Sequence, residues 1–402
     1  MSPSLEQARE IFLSGVAHFE RGAYEAAHAA FSQALALAPG RASVLLNLGV
    51  TAVRLHRHAE AAPLLEQALA ADATLGDGWA ALGVAQMELG QWQQARPSLE
   101  NAVRHGAGSA STHLRLGQCL VREGRAEEAL AAFETSLALD ADLAEAWTQL
   151  GHLRRDLQQP DEAARCYRSA LARGGDAELH RYYLAALEPG GPVPNAPRHY
   201  VQGLFNQYAD EFEGHLVGQL RYQGHRVLVE QLPAECPAQF AQVLDLGCGT
   251  GLCGAHVRPR AQALWGLDLS PAMLQQARER GIYDQLVEAD VVEFLQRDGR
   301  AWDLVLAADV FIYVGHLDDV FAALASRVAA AGWLAFTIEE AADGGATDAP
   351  QLLPSLRYAH SLAYVQALAM RHGFRSVKAH RAPLRWDQQT PVLGQYLYLQ
   401  KA

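Results

Sequence analysis

Lysine is almost missing from this chain: Lys378 and Lys401 are the only two in 402 residues. Arginine supplies the rest of the 33 basic residues against 45 acidic ones, for a net charge of −12 with His neutral. Neither half escapes the imbalance. Through Pro189 there are 16 basic and 23 acidic residues, and beyond it 17 and 22. Binding a phosphate backbone needs clustered Lys and Arg, so the composition argues against a nucleic-acid partner. Long apolar runs are absent too. No stretch approaches the ~18 uncharged apolar residues of a membrane span, and Met1 to Glu10 lacks the basic and apolar regions of a signal peptide. A cytoplasmic protein with no membrane partner is expected. Cysteine is scarce: Cys119, Cys166, Cys236, Cys248 and Cys253 form no CxxC pair, so reduced core thiols and no metal are expected.

What is present first is a repeat. Gly15, Gly49, Gly83, Gly117 and Gly151 recur with a 34-residue period. Ala27, Ala61, Ala95, Ala129 and Ala163 keep the same period, followed by the large residues Phe31, Leu65, Leu99, Phe133 and Tyr167. A small residue on each helix of a pair lets the backbones approach while the large side chain fills the space beside it. One such hairpin cannot bury its own apolar face, so hairpins of this kind stack into a solenoid. This stretch resembles the tetratricopeptide repeats, five of them over about 8–177, and 179–187 reads as a capping helix. The resemblance implies an inner groove for peptide segments. Phe12, Val16, Phe19, Leu46, Val50, Val53, Val84, Met87, Leu114 and Val121 are expected to line it. A peptide or protein acceptor, or a second copy of the chain in a homodimer, would occupy that face.

The run EPGGPVPNAPR, 188–198, cannot continue a helix. It sets the expected division: a repeat domain over 1–188, a linker over 189–198 and a second domain over 199–402. Beyond it, 200–232 has a helical pattern. Buried-strand runs then alternate with helical segments: 243–246, 263–269, 286–289, 302–307 and 332–338. That alternation indicates a parallel α/β sheet covered on both faces. The first strand runs into Gly247-Cys-Gly-Thr-Gly251, and Asp268 follows about twenty residues later, a pattern that dinucleotide sites also show. Three details separate it from those sites. Asp245 lies inside the strand end, the spacing is GxGxG, and a further acid, Asp290, ends the third strand in EADVVEF.

The second domain resembles the class I S-adenosylmethionine-dependent methyltransferases, and the chain as a whole resembles bacterial members that carry tetratricopeptide repeats. The fold expected is therefore an all-α solenoid followed by a Rossmann-like, seven-stranded α/β domain, completed by a hairpin from 375–379 and 394–400. The resemblance implies S-adenosyl-L-methionine as cofactor and S-adenosyl-L-homocysteine as product. The glycine turn (Gly247, Cys248, Gly249, Thr250, Gly251) would cradle the methionine part. Asp268 would take the ribose hydroxyls and Asp290 the adenine amino group. Tyr208, Asp245, Leu269, Met273, Ala289, Val291 and Ala307 complete the expected donor set.

An acceptor hydroxyl, phenol or amine would need a base, whereas a carboxylate would need none. Candidate bases are Asp309 after the fourth strand, His215 ahead of the sheet, and His360 with Tyr364, which at i and i+4 would share one helix face. Tyr313, His316 and Arg357 are further candidates, with Arg357 suited to an acidic acceptor. The alternatives are a small-molecule O- or N-methyltransferase whose repeats serve self-association, a non-catalytic scaffold, and a donor-sensing protein.

Overall fold

The structure is a computed structural model. It describes residues 3–188, 195–209, 212–340, 349–387 and 390–402; residues 189–194 of the expected linker lie outside that set. The chain divides into two compact units, Met1–Asp176 and Ala177–Ala402.

The first unit is built from antiparallel helix pairs: Pro3–Glu20 with Tyr24–Leu37, Ala42–Arg54 with His58–Ala71, and Gly76–Glu88 with Trp92–Arg104. Ala110–Arg122 with Ala126–Leu139 and Ala144–Asp156 with Pro160–Ala172 complete the series. Its 34-residue period has a direct steric cause. A Cβ placed on Gly15, Gly49, Gly83, Gly117 or Gly151 would come within 2.4–2.7 Å of Phe31, Leu65, Leu99, Phe133 or Tyr167 respectively. No side chain fits there without moving the neighbour. The alanines twelve residues after these glycines are all fully buried.

Of the expected groove residues, Phe19, Leu46, Val50, Val53 and Val84 line a concavity in this unit. It also presents Asn47, Arg54, His56, His58, Asp77, Glu88 and Arg115, so it is less apolar than the sequence pattern suggested. Met87 and Leu114 are buried in the core, and Phe12 and Val16 pack beside Phe31.

The second unit is a sheet of β1 (Phe240–Leu246), β2 (Ala261–Asp268), β3 (Gln285–Glu288), β4 (Trp302–Ala307), β5 (Val328–Glu339), β6 (Gln351–Leu352), β7 (Tyr358–Ala359), β8 (Phe374–Asp387) and β9 (Thr390–Lys401). The seven main strands follow the order β3-β2-β1-β4-β5-β9-β8, parallel except for β9, which is antiparallel to β5 and to β8. The β6–β7 ribbon attaches at the end of β5, where Glu339 pairs with Ala359. Alternating side chains fill both faces: Val305 and Ala307 enter one core with Phe321 and Phe336, and Leu304 and Leu306 the other with Trp333 and Tyr398. Strand order reverses between β1 and β4, and at the carboxyl ends of such strands an α/β sheet opens its ligand crevice.

Local structure departs from the sequence reading at three places. The helical pattern over 200–232 breaks into helix Arg198–Tyr208, a π-type turn Gly214–Gln219 and helix Gly224–Glu230. The segment around His360 is no helix at that point: Tyr358–Ala359 is a strand, and Ser361 caps helix Leu362–Arg371 by accepting the Tyr364 amide. Helix Ala177–Leu187, expected to cap the repeats, groups with the second unit. The cause is Tyr182, fully buried against Tyr200 and Tyr358 with its hydroxyl donating to the Leu356 carbonyl at 2.6 Å.

Candidate active site

β1 delivers the chain into a turn in which Gly247, Gly249 and Gly251 all have left-handed φ, at +59°, +54° and +94°. L side chains rarely adopt that region. A Cβ on Gly247 would also stand 2.6 Å from Val310, whereas one on Gly249 would meet nothing closer than Phe212 at 4.0 Å. Gly249 therefore opens its bare backbone to a cavity of about 590 Å³ at the carboxyl ends of β1, β2 and β4.

Asp268, at the end of β2, ties this turn down. Its carboxylate accepts the Gly249 amide and the Ser270 amide, both at 2.8 Å, and it lines the cavity. Burial raises its pKa despite those donors. A carboxylate of this kind, fixed by backbone amides, suits the paired hydroxyls of a ribose. Asp290 lines the same cavity, one oxygen accepting the amides of Val292 and Glu293 as the cap of helix Val291–Arg297. Tyr208, Gly247, Cys248, Gly249, Thr250, Leu269, Ala289 and Val291 also reach this cavity.

Four expected donor residues do not. The Asp245 carboxylate is 1 % exposed and accepts the Tyr283 hydroxyl at 2.7 Å, and burial pushes its pKa up to about 7. Gly251 faces Arg280 and Tyr283. Met273 is fully buried, one turn into helix Pro271–Arg280. Ala307 points into the core, and strand alternation gives its place at the cavity to Ala308.

The candidate bases separate in the same way. Asp309 lines the cavity with φ at +58°, held by Thr337, whose hydroxyl accepts its amide at 2.8 Å, and by Arg385 at 3.5 Å. Burial raises its pKa against the pull of Arg385 and Arg357. His360 lies outside the cavity, 1 % exposed, with Nε2 bonded to the Gly315 carbonyl at 2.9 Å and its pKa depressed to about 4 by burial. Tyr364 is buried beside it, accepting the Leu317 amide and reaching Asp318. Both brace the 315–318 loop, and neither is among the residues that line the cavity. His215 sits in the π-type turn, and its side chain lies outside the described residues.

Opposite the glycine turn the lining is aromatic and cationic. Phe205 packs edge-on against Phe212 and Tyr313, and Tyr208 against Phe212. Three arginines line the cavity: Arg198, which pairs with Glu293 at 3.2 Å, Arg357 and Arg385. Arg385, 3 % exposed, is neutralised by Glu339 and Asp309. Arg357 faces the Tyr313 phenol and has no ion-pair partner among the described residues. Burial alone would lower its pKa, but Tyr313, Glu339 and Asp309 outweigh that and keep it charged. The sequence reading missed Arg385, Tyr222 and His225, which belong to this wall. The His225 Nδ1 is a buried atom without a hydrogen-bond partner among the described residues, and burial depresses its pKa to about 4. No motif marks these positions. The described residues contain no group of His, Cys, Asp and Glu that would hold a metal ion.

A family model described as a methyltransferase domain matches 244–334, and tetratricopeptide-repeat models match 12–75, 80–144 and 144–173. The chain is 30 % identical over 189 residues to the malonyl-[acyl-carrier protein] O-methyltransferase of Salmonella typhimurium, covering 45 % of this chain and 69 % of that protein. It is 34 % identical over 113 residues to the trans-aconitate 2-methyltransferase of Paracidovorax citrulli, covering 27 % of this chain and 44 % of that one. Among solved structures it is similar to magnesium protoporphyrin IX methyltransferase from Synechocystis with bound S-adenosylhomocysteine, at 16 % identity and a TM-score of 0.40, covering 51 % of this chain and 99 % of that one. The chain belongs to the S-adenosylmethionine-dependent methyltransferase family, in a form that carries tetratricopeptide repeats ahead of the methyltransferase domain.

Proposed function

We propose that the second unit methylates a carboxylate, with S-adenosylmethionine as donor and S-adenosylhomocysteine as product. The observation that carries this is Arg357: a charged guanidinium in the cavity wall that makes no close ion pair among the described residues, Glu339 and Asp309 acting on it only at longer range while Arg385 pairs with both. Buried charge of this kind is stabilised by an opposite charge, and an acceptor carboxylate supplies one with bidentate geometry. The two relatives named above act, by their names, on malonyl and trans-aconitate groups, both of which bear carboxylates.

The donor supplies a methyl group already activated by a sulfonium. Asp268 would hold the ribose, Asp290 would face the adenine, and Gly249 leaves room for the chain that joins ribose to sulfur. Arg357 fixes one carboxylate oxygen for in-line attack, the new O–C bond forming as the C–S bond breaks. No proton moves, so no base is needed, in keeping with His360 and Tyr364 standing outside the cavity. The aromatic wall excludes water. If the acceptor is instead a hydroxyl or amine, Asp309 is the base the geometry favours, since its carboxyl has a raised pKa and lies in the cavity. For the repeats we infer a role in presenting a protein-borne acceptor or in pairing two copies of the chain, supported by the groove lined by Val50, Val53 and Val84.

The test is incubation with S-adenosylmethionine and a malonyl thioester, followed by mass analysis for a methyl ester. Arg357→Met is expected to raise the acceptor KM about 10- to 100-fold, the loss of one charge-assisted pair, with affinity for S-adenosylhomocysteine unchanged. Normal turnover by that variant, or methyl found on nitrogen or a hydroxyl, overturns the carboxylate reading.

A further inference from the structure

We propose that Tyr182, on helix Ala177–Leu187, is a positioning residue for the acceptor: it fixes the turn that carries Arg357 and so sets the carboxylate selectivity of the cavity. The inference rests on the carboxylate reading above.

Arg357 follows Leu356, whose φ of +61° lies in the left-handed region that a branched side chain resists. The turn is closed by the Leu356 amide donating to Leu353 at 2.9 Å and the Leu353 amide donating to the Arg357 carbonyl at 2.8 Å. What remains is the Leu356 carbonyl, and Tyr182 satisfies it from 174 positions away at 2.6 Å. The residue on the other side of Arg357 is held by the same side chain: the Tyr358 ring lies 6.2 Å from that of Tyr182, and both are fully buried. Burial raises the Tyr182 pKa, so the phenol remains a donor. Arg357 is thus fixed on both flanks by one tyrosine. Without the hydroxyl, a buried carbonyl loses its partner and the turn is free to relax out of its left-handed conformation. The guanidinium would shift while the glycine turn and Asp268, on other strands, stay in place.

Tyr182→Phe keeps the ring and removes only the hydroxyl, with its bonds to the Leu356 carbonyl and to the Tyr358 side chain. Titrations compare S-adenosylhomocysteine, a malonyl thioester, and the methyl ester of that thioester. The variant is expected to bind the homocysteine ligand and the ester as wild type does and the acid about 5- to 20-fold more weakly. Leu356→Gly, which removes the strain that the tyrosine hydroxyl holds against, is expected to restore part of the lost selectivity in a Tyr182→Phe background. In an Arg357→Met background, Tyr182→Phe is expected to change nothing further. A simple packing role would weaken acid and ester alike. That result overturns the proposal, as do an unchanged acid affinity and effects of Tyr182→Phe and Arg357→Met that multiply. Wild-type protein that binds neither acid nor ester removes the carboxylate reading, and this proposal with it.

Discussion

Asp245 and Asp268 end neighbouring strands, yet their carboxylates are put to different uses. Asp268 spends its oxygens on two backbone amides and still faces the cavity. Asp245 faces inward to Tyr283, and burial, opposed by that hydroxyl and by the Gly254 amide, raises its pKa to about 7. In the unfolded chain the same carboxyl ionises near its ordinary value of about 3.9. Between these limits the folded protein holds the extra proton, so this group's contribution to stability falls as pH rises from about 4 to about 7, and is constant above that. Asp245→Asn keeps an acceptor for Tyr283 and has no proton to lose. Its urea midpoint relative to wild type is therefore expected to rise between pH 5 and pH 8. A difference that stays flat, or that shrinks with pH, would show that Asp245 ionises normally in the folded protein.

At the scale of elements, what the sequence made legible follows from the range of the contacts. Gly117 and Phe133 are sixteen residues apart and touch across one hairpin, so their relation repeats visibly with every hairpin. A Cβ at position 117 would stand 2.4 Å from the Phe133 ring. Gly117→Ala is expected to lower stability by about 1–3 kcal/mol through overpacking. The same substitution is expected to cost less in a Phe133→Ala background, where the ring is gone, although Phe133→Ala alone removes about 3–5 kcal/mol. Thermal or urea unfolding of the four proteins checks this, and additive losses would mean the two residues do not compete for space. The glycine turn and Asp268 were readable for a related reason, since a strand, a tight turn and a carboxylate at the next strand end leave a local signature. Ala307 and Ala308 show the limit: which of two adjacent alanines faces the cavity depends on strand register. Near His360, the i, i+4 spacing to Tyr364 suggested one helix face, but Ser361 is the cap where the helix starts, and the strand Tyr358–Ala359 lies before it. Arg385, Tyr222 and His225 left no sequence signal because Tyr222 and His225, neighbours ahead of the sheet, meet Arg385 of β8 only in the folded chain.

For the whole molecule, the proline-rich run marks a change of composition but not the point at which the compact units divide. Helix Ala177–Leu187 lies before that run and belongs with the second unit, through contacts to residues 356–358 that no local pattern announces. A fragment beginning at residue 198 would lack Tyr182 and Tyr183, both buried, and large buried side chains contribute about 1.5–3 kcal/mol each. It would also uncover Tyr358 and release the Arg357 turn. The fragment 177–402 is expected to unfold cooperatively and to bind S-adenosylhomocysteine as the full chain does. The fragment 198–402 is expected to lose several kcal/mol of stability and to discriminate poorly between a malonyl thioester and its methyl ester. Equal stability of the two fragments would place the helix with the repeats after all. The fragment 177–402 then isolates the role of the repeats, because its cavity is complete. With a small malonyl thioester it is expected to match the full chain. With a malonyl group carried on an acyl carrier protein, a role in presentation predicts a raised KM at unchanged kcat, and a role in self-association predicts a change of oligomeric state on sedimentation instead. A fragment that matches the full chain in all three measurements would leave the groove around Val50 and Val84 with neither role, and the acceptor would be recognised by the second unit alone.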